Sequence, residues 1–334
     1  NWPGGQPHRD WYTGPLSVTA DLDGDPGQEV VTGISAYDAS GNVLWRADPM
    51  WSDGFPAVAD FDADGLPEVV VSAAGTLRVH EGRTGELAWG PVALRGRGGP
   101  PTIADLDGDG RPDVGVAVAS RYAALKIDLE RPETSYADAV IWEQQTRDVS
   151  TNMTGSSVFD FEGDGRAEVV YNDEHFLRIF DGRTGTTLFE HPNSTFTGLE
   201  YPIVVDVEGD GAAEIIVASN DFECGDVLGE CREAGGPGVR VFGESTDNWV
   251  ATRRLWNQHA YRIGNIGDDG GIPPAEPASW ELHNTYRLNK LPGVRQTAAP
   301  DLVIDSATWE LSAGEGCRAE VEVWVANAGA VRAG

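Results

Sequence analysis

Basic residues are scarce in this chain: 24 Lys and Arg stand against 54 Asp and Glu, which gives a formal charge of −30 at pH 7. Because nucleic acids and anionic membrane faces attract basic surfaces, this balance argues against both as partners. Long apolar runs are also missing, and none approaches the roughly 18 residues that a membrane-spanning helix needs. The chain begins at Asn1 with neither Met nor a signal-peptide pattern, so we expect a processed chain or a fragment.

Recognisable catalytic motifs are absent as well. The sequence has no nucleophile elbow, no metal-hydrolase helix motif and no phosphate-binding loop. The six His residues share no metal-ligand spacing; we expect His80 and His175 within or near strands, and His8 and His191 on surfaces. The sequence therefore favours a protein that binds over one that catalyses.

What the chain does contain is a nine-residue acidic loop, repeated five times between short apolar runs. The loops start at residues 21, 60, 105, 160 and 206 and place carboxylates at positions 1, 3, 5 and 9. Position 6 is Gly in four loops and Pro26 in the first. Side-chain oxygens of positions 1, 3 and 5, the carbonyl of position 7 and the carboxylate of position 9 can form the all-oxygen cage that calcium prefers.

The sequence thus predicts about five structural calcium ions, one for each loop. The predicted ligands are Asp21, Asp23, Asp25, Gly27 and Glu29 in the first loop; Asp60, Asp62, Asp64, Leu66 and Glu68 in the second; Asp105, Asp107, Asp109, Arg111 and Asp113 in the third; Asp160, Glu162, Asp164, Arg166 and Glu168 in the fourth; and Asp206, Glu208, Asp210, Ala212 and Glu214 in the fifth.

These loops are not EF-hands, which require a Glu at position 12 and a helix on either side. Position 12 holds Thr32, Val71, Val116, Tyr171 and Val217 in the five loops. The flanking runs, such as residues 16–20 and 215–218, are short and rich in β-branched residues, which is typical of strands. Each calcium loop is therefore expected to join two strands of a hairpin.

The spacing of the loops predicts the architecture. Successive loops start 39 to 55 residues apart, and periods near 40 to 50 residues mark propellers or solenoids. A second hairpin signal, a strand followed by a Gly-containing turn and a strand led by Leu, follows in residues 35–44, 78–87 and 178–188. Each unit should supply four strands, and no convincing amphipathic helix is present.

These units resemble the FG-GAP/VCBS repeats of calcium-binding β-propellers, which occur in integrin α-subunit heads and in many secreted bacterial proteins. The resemblance covers about residues 14–250. It implies an all-β fold, a propeller of about six four-stranded blades, with seven as the alternative, over residues 1–298. It does not fix an activity, because the family hosts adhesins, lectin-like binders and a few polysaccharide lyases.

The end of the predicted propeller leaves two interpretations open. Residues 256–262 and 280–287 both contain Trp-x-x-His followed by Tyr-Arg, and residues 265–271 resemble a decayed calcium loop with Asn265 and Asp269 at ligand positions. Residues 249–298 either form a degenerate sixth blade, whose aromatic residues pack against the ring closure and which the N-terminal residues with Trp2 and Trp11 complete or cover, or they carry a binding or catalytic patch. That patch would consist of His259, His283, Tyr261, Tyr286 and the arginines.

Two further segments stand outside the repeat. Residues 221–238 form an insertion in which Cys224 and Cys231 are expected to make a local disulfide, because neither a third Cys nor a His lies nearby in sequence. Residues 299–334 alternate apolar and polar residues, and they resemble the start of a CARDB-type immunoglobulin-like β-sandwich. We expect this second domain to be incomplete and Cys317 to find its partner beyond Gly334.

The leading functional hypothesis is a calcium-stabilised extracellular scaffold, secreted or at the cell surface. It would bind protein or glycan partners, or neighbouring copies of itself, through loops on its faces such as residues 128–152 and 221–238. One alternative is a lectin-like propeller that uses Trp11, Trp51, Trp249 or Trp256 as sugar platforms. A polysaccharide lyase is the other alternative.

Overall fold

The computed structural model describes residues 16–25, 27–148, 153–195, 197–220, 237–275, 280–290, 302–312 and 318–327. Short β-strands dominate these residues. Two helices of four residues, α1 (Tyr136–Ala139) and α2 (Trp280–His283), and a 3-10 helix over Ile263–Asn265 complete the secondary structure of this part of the chain. No helix within it is long and apolar enough to cross a membrane.

Four antiparallel sheets of four strands follow one another along the chain, and we number them blades 1 to 4. Each keeps its strands in sequence order. The all-β class and the four-stranded unit predicted from the sequence are confirmed. The strands are β1 (Val18–Ala20), β2 (Glu29–Val31), β3 (Ser35–Tyr37) and β4 (Val43–Arg46) in blade 1; β5 (Phe55–Ala59), β6 (Glu68–Ala73), β7 (Thr76–His80) and β8 (Leu87–Ala93) in blade 2; β9 (Thr102–Ala104), β10 (Asp113–Val118), β11 (Arg121–Lys126) and β12 (Val140–Gln145) in blade 3; and β13 (Ser156–Phe159), β14 (Glu168–Asn172), β15 (Phe176–Phe180) and β16 (Thr187–Pro192) in blade 4.

Blade 5 has three strands in the described residues: β17 (Ile203–Val205), β18 (Glu214–Ser219) and β19 (Gly238–Phe242). A separate antiparallel hairpin follows, formed by β20 (Leu302–Ser312) and β21 (Arg318–Asn327). The antiparallel pair expected near the C-terminus is therefore present. The immunoglobulin-like module that it would start stays a prediction.

The first strands of successive blades contact one another, from β1 to β5, β9, β13 and β17. Ala57, Val58 and Ile103, which lie on these strands, have no exposed surface. Strands covered on both faces are apolar throughout rather than alternating, which explains the uninterrupted apolar runs before each acidic loop. The main core extends over blades 1, 2 and 3.

Tryptophans on the fourth strands connect neighbouring blades. Trp45 of blade 1 donates its indole N–H to the carbonyl of Gly82 in blade 2, at 2.6 Å. Trp142 of blade 3 does the same with Gly182 of blade 4, at 2.5 Å. Each indole also lies against a turn glycine; a Cβ at Gly85 would come within 2.5 Å of the Trp45 ring. The Gly-Arg-Thr-Gly turns are thus docking surfaces for the preceding blade.

Residues 284–289, here called the axial segment, cross the first strands of the blades. The Asn284 side chain accepts the backbone N–H of Asp60 at 2.9 Å, and the Tyr286 N–H donates to the carbonyl of Ile103 at 2.9 Å. Leu288 forms a parallel bridge with Val158 of blade 4. Asn289 then reaches blade 5 by donating to the carbonyl of Val204 at 3.0 Å.

This arrangement differs from the degenerate sixth blade expected over residues 249–298. Between β19 and β20, the described residues contain no strand, and their pairing with the strands of the blades is limited to two isolated bridges. The segment is held by side chains and single backbone hydrogen bonds, because its Pro, Gly and Asn content does not give the alternation that a paired strand requires. Trp2 and Trp11, predicted to cover this region, lie outside the described residues.

Candidate metal centres

All five acidic loops connect the first strand of a blade to the second, as predicted. The ninth residue of each loop is the first residue of the second strand and pairs with the last residue of the first strand. In blade 2, for example, Glu68 lies opposite Ala59. This register holds the carboxylate of position 9 beside that of position 1, because position 1 follows the first strand directly.

The first residue of each loop organises the turn by accepting backbone N–H groups. Asp105 Oδ1 accepts from Gly108 at 2.8 Å and from Asp109 at 3.0 Å, and its Oδ2 accepts from Gly110 at 2.8 Å. Gly110 has a φ of +87°, a left-handed conformation that L side chains rarely adopt. This conformation explains the Gly at position 6.

The ninth residue is buried in every loop. Glu29, Glu68, Asp113, Glu168 and Glu214 are each at most 7% exposed. One oxygen of each accepts the backbone N–H of position 2, for instance Phe61 to Glu68 at 2.7 Å and Leu22 to Glu29 at 2.8 Å. The side chain of position 2 points into the core in the first four loops, where it is at most 3% exposed. Each loop is therefore anchored at its base and open at its tip.

Positions 1, 3 and 9 converge in four of the loops. Ligand atoms of the three residues all lie within 4.8 Å of one another in each of these clusters. The clusters are Asp21, Asp23 and Glu29; Asp60, Asp62 and Glu68; Asp105, Asp107 and Asp113; and Asp160, Glu162 and Glu168. Three carboxylates held this closely are a donor set suited to a hard divalent cation.

Two parts of the predicted ligand set are arranged differently. In the fifth loop, whose residues are all described, Asp206, Glu208 and Glu214 do not meet this distance criterion. Position 5 is not a member of these clusters either. Its side chain accepts the backbone N–H of position 7, and the Asp64 to Leu66 distance is 2.8 Å. Asp25, Asp109, Asp164 and Asp210 make the same bond.

Burial and mutual repulsion raise the pKa values of the carboxylates at position 9 when no cation is bound. Burial, followed by the neighbouring loop carboxylates, raises the pKa of Glu29 to about 7 and that of Glu68 to about 8. Burial above all raises the pKa of Asp113 to about 7, and the pKa of Glu168 is raised by burial and by Glu162. A divalent cation inside the cluster would act in the opposite sense and favour ionisation. The donor set, its burial and its charge all fit calcium.

Basic side chains form ion pairs in two of the described loops. Lys126, at the end of β11, bonds Asp107 Oδ2 at 2.8 Å and also contacts Asp109, both in the third loop. Arg166, in the fourth loop, pairs with Asp164 at 2.6 Å. Asp164 is outside its cluster, whereas Asp107 is a member of its own cluster. The third loop is thus the one whose convergent carboxylates already hold a cation of the chain.

The proposed His, Tyr and Arg patch is buried around the axial segment. His259 accepts from Arg287 through Nδ1 at 3.1 Å and contacts the carbonyl of Leu199 through Nε2 at 2.9 Å. Burial, reinforced by Arg287, lowers the pKa of His259 to about 4, so this ring is neutral at pH 7. Tyr261 and Tyr286 are at most 2% exposed. His259, Tyr261 and Tyr286 come together around Arg287, as packing of the molecule's centre. His283 lies in α2 and is half-buried.

The decayed calcium loop and the tryptophan platforms also have structural roles. Asn265 is buried, and its Oδ1 accepts the N–H of Arg262 at 3.1 Å, so its oxygen serves the 3-10 helix. Trp51, Trp249 and Trp256 are half-buried. Their rings lie against neighbours: Trp51 beneath Arg78 at 5.0 Å, Trp249 against Phe161 at 4.5 Å, and Trp256 on Tyr261 at 4.4 Å.

Several sequence predictions fall on residues that the structure does not describe. Cys224, Cys231 and Cys317 are among them, and so is Trp11. Of the predicted face loop 128–152, residues up to 148 are described; α1 and β12 lie there, and the 128–139 part connects β11 to β12.

Comparison with known families gives one local match. A profile of the FG-GAP-like repeat family matches residues 60–116, which contain the second and third acidic loops. No curated protein sequence matches the chain significantly.

Among solved structures, the chain resembles the V. cholerae biofilm matrix protein Bap1, with a TM-score of 0.64 and 19% identity over 83% of this chain and 71% of Bap1. BamB from Moraxella catarrhalis aligns with 61% of this chain and 57% of its own length at 18% identity and a TM-score of 0.36. An Agrocybe aegerita lectin that recognises non-reducing terminal N-acetylglucosamine aligns with 62% of this chain and 63% of its own length at 13% identity and a TM-score of 0.36. The last two scores are too low to carry an argument. The Bap1 likeness and the repeat match support a β-rich repeat fold.

Proposed function

We propose that this chain is a calcium-stabilised extracellular scaffold that binds macromolecular partners. The observation that carries the proposal is the convergence of three carboxylates in each of four loops, with the innermost one buried. Such clusters are unfavourable when empty, because like charges face one another in a desolvated place. Their repetition at one position of successive blades favours a structural role for the ions over a catalytic one.

Calcium would then contribute much of the stability. Extracellular modules bind calcium with dissociation constants of about 0.1–1 mM. At about 1–2 mM calcium, a 0.1 mM site stabilises the folded state by roughly 1.4–1.8 kcal/mol. Four such sites would add about 6–7 kcal/mol, comparable to the net stability of a whole domain. The calcium-poor cytosol would forfeit most of this, which favours secretion or display at the cell surface.

The ring itself would be closed without a sixth sheet. The Gln28 side chain, in the first loop, donates to the carbonyl of Pro273 at 3.0 Å. On the other side, the N–H of Val250 donates to the carbonyl of Phe161 in blade 4 at 3.1 Å. Residues 250–275 thus extend from the last blades back to the first. We infer that they fill the remaining sector and that the axial segment fixes the blades at the centre.

A binding role rather than an enzymatic one is favoured by the state of the candidate catalytic groups. Burial, reinforced by the charge of Arg287, lowers the pKa of His259 to about 4, and burial raises the pKa of Tyr286 to about 12. What remains for partners is the surface of the face loops, and function on repeat scaffolds concentrates in such insertions. Bap1 is described as a biofilm matrix protein, and the proposed partners here are likewise cell-surface proteins, glycans or further copies of the chain.

The experiment compares the chain with a variant in which residues 222–235 are replaced by a short Gly-Ser linker. Both are titrated against a cell-surface protein fraction and a glycan array in calcium-containing buffer. We expect binding by the intact chain and weaker binding by the variant at an unchanged melting temperature. Turnover of a polysaccharide by the calcium-loaded chain would instead identify an enzyme, and glycan binding with no protein binding would identify a lectin.

A further inference from the structure

The third acidic loop differs from the others in having a lysine inside its carboxylate cluster. Lys126 Nζ lies 2.8 Å from Asp107 Oδ2 and also contacts Asp109. Asp107 belongs to the cluster of the third loop, together with Asp105 and Asp113. Its second oxygen, Oδ1, accepts the N–H of Asp109 at 3.0 Å. Both oxygens of this carboxylate are therefore occupied by groups of the chain.

Strand register shows that this lysine replaces an acidic residue. Lys126 pairs directly with Asp113, the ninth residue of the third loop. In blade 2 the pair Val69–His80 places Glu81 one step further, beside Glu68. In blade 1, one residue beyond the pair Val30–Tyr37, Asp38 lies beside Glu29. In blade 4, one residue beyond the pair Val169–Phe180, Asp181 lies beside Glu168. A basic residue occupies this place only in blade 3 among the described blades.

The contrast with blade 2 is electrostatic. Glu81 lies close enough to the second loop for Asp62 and Asp64 to raise its pKa, after burial, so it adds negative charge to that site. Lys126 instead removes one charge from the third loop. The affinity of calcium sites depends on the number of ligand charges, and a unit charge near a divalent ion changes its binding by a large factor.

We propose that Lys126 is a tethered cation that competes with calcium for the third loop. The third cluster is then the weakest of the four calcium sites, and it is also the one that tolerates the loss of calcium best. This inference rests on the calcium function proposed above. Arg166 differs from Lys126 in that its ion-pair partner, Asp164, lies outside the fourth cluster.

The consequence is a graded response of the blades to calcium. As calcium falls, the third loop releases its ion first, and the ammonium group of Lys126 replaces it without leaving three bare carboxylates. Loops 1 and 2, whose described residues form no ion pair with Lys or Arg, have no such substitute. Blade 3 would therefore stay ordered in conditions that loosen blades 1 and 2.

The test is calorimetric titration of the chain with calcium, compared with Lys126→Gln and Lys126→Arg. We expect Lys126→Gln to tighten one site about tenfold. Lys126→Arg, which keeps the charge, should leave that site weak. The gain should disappear in Lys126→Gln combined with Asp105→Asn, which assigns it to the third loop. The mirror variant Glu81→Lys should weaken one site that is tight in the parent chain.

A second readout is the melting temperature in chelator. Lys126→Gln should lower it there and raise it, or leave it unchanged, in saturating calcium. Calcium binding that is identical in the parent chain and in Lys126→Gln would overturn the inference while leaving the calcium function intact. A flat titration in every variant would overturn the calcium function itself, and the inference with it.

Discussion

Charged residues are held in two different ways in this molecule. In the acidic loops like charges converge, as in the cluster of Asp60, Asp62 and Glu68. Around the axial segment, buried arginines lie among carbonyls and aromatic rings; Arg253 donates to the carbonyl of Ile266 at 2.9 Å, and Arg287 lies 4.3 Å above the Tyr201 ring. The loops therefore need a cation from solution, whereas Arg253 and Arg287 contact carbonyl groups and aromatic rings of the chain itself. The stability of the acidic loops should depend on the calcium concentration, and the stability around the axial segment should not.

The largest expected effect is the removal of calcium, which acts on the loops alone. Excess chelator should lower the melting temperature by more than about 10 °C, because several sites are lost together. Added calcium should restore it, and magnesium should be a poor substitute because it demands a regular octahedral shell. Differential scanning calorimetry with and without chelator measures this effect. A thermal transition that is unchanged by chelator would show that the acidic loops do not depend on calcium for their stability.

The second prediction concerns the centre. Tyr286→Ala deletes a buried ring whose backbone bridges Ile103. We expect a loss of about 3–5 kcal/mol in the free energy of unfolding. The loss should be the same in calcium and in chelator, because no calcium ligand is touched. Ile272→Ala, at a side chain that is 61% exposed, is the matched control and should be neutral. A Tyr286→Ala effect that appears only in calcium would show that the stability of the axial segment is coupled to the calcium loops.

The third prediction uses pH to separate the two regions. The pKa values of Glu29, Asp113 and Glu68 are raised to about 7, 7 and 8, above the roughly 4 of an unfolded chain. A group with a raised pKa contributes stability below its unfolded pKa and loses it as pH rises through the folded value. Without calcium, the melting temperature should therefore fall by a few degrees between about pH 5 and pH 8.

With saturating calcium the trend should reverse, because protons compete with the ion for the same oxygens. The gain in melting temperature on adding calcium should increase with pH over this range. Thermal melts at several pH values, each with calcium and with chelator, measure both slopes. A calcium-free chain that becomes more stable between pH 5 and pH 8 would contradict the buried, repelling state assigned to these carboxylates.

The smallest effect distinguishes two single residues. Asp60→Ala should cost about 1.5 kcal/mol more in calcium than in chelator, which is the contribution of one site. Asn265→Ala should cost about 1–2 kcal/mol equally in both, because it removes buried hydrogen bonds and no calcium ligand. Chemical denaturation in both buffers gives the two differences. Equal calcium dependence for the two variants would mean that residues 265–271 bind an ion after all.

The sequence predicts the acidic loops well and the axial segment poorly. The physical reason is that the loops depend mainly on contacts between residues close in sequence, whereas the axial segment depends on contacts between distant residues. The loop of residues 60–68 is a local pattern, because the hydrogen bonds that its own carboxylates accept, such as the bond from Phe61 to Glu68, all come from within nine residues. The position of the fifth loop residue outside the clusters was harder to predict. Asp64 accepts the backbone N–H of Leu66, and such a bond can form in any turn of this kind. Lys126 could have been found by aligning the third strands of the blades, where a base replaces an acid.

The contacts of the axial segment could not be predicted from a local sequence pattern. Asn284 bonds to Asp60 across 224 positions, and no local periodicity announces that contact. The Trp-x-x-His repeats gave the right residues but left packing at the ring closure and an open patch as alternatives, because a buried cluster and a surface site can contain the same residue types. Only the tertiary contacts show that Tyr261 and Tyr286 face inward.

The most direct test of the calcium account is anomalous diffraction from crystals grown in calcium. The account predicts peaks about 2.3–2.6 Å from carboxylate oxygens of positions 1, 3 and 9 in the first, second and fourth loops. A weaker peak, or the Lys126 ammonium, should occupy the third loop. Crystals that show no peak in any of these loops, at calcium concentrations of several millimolar, would contradict it.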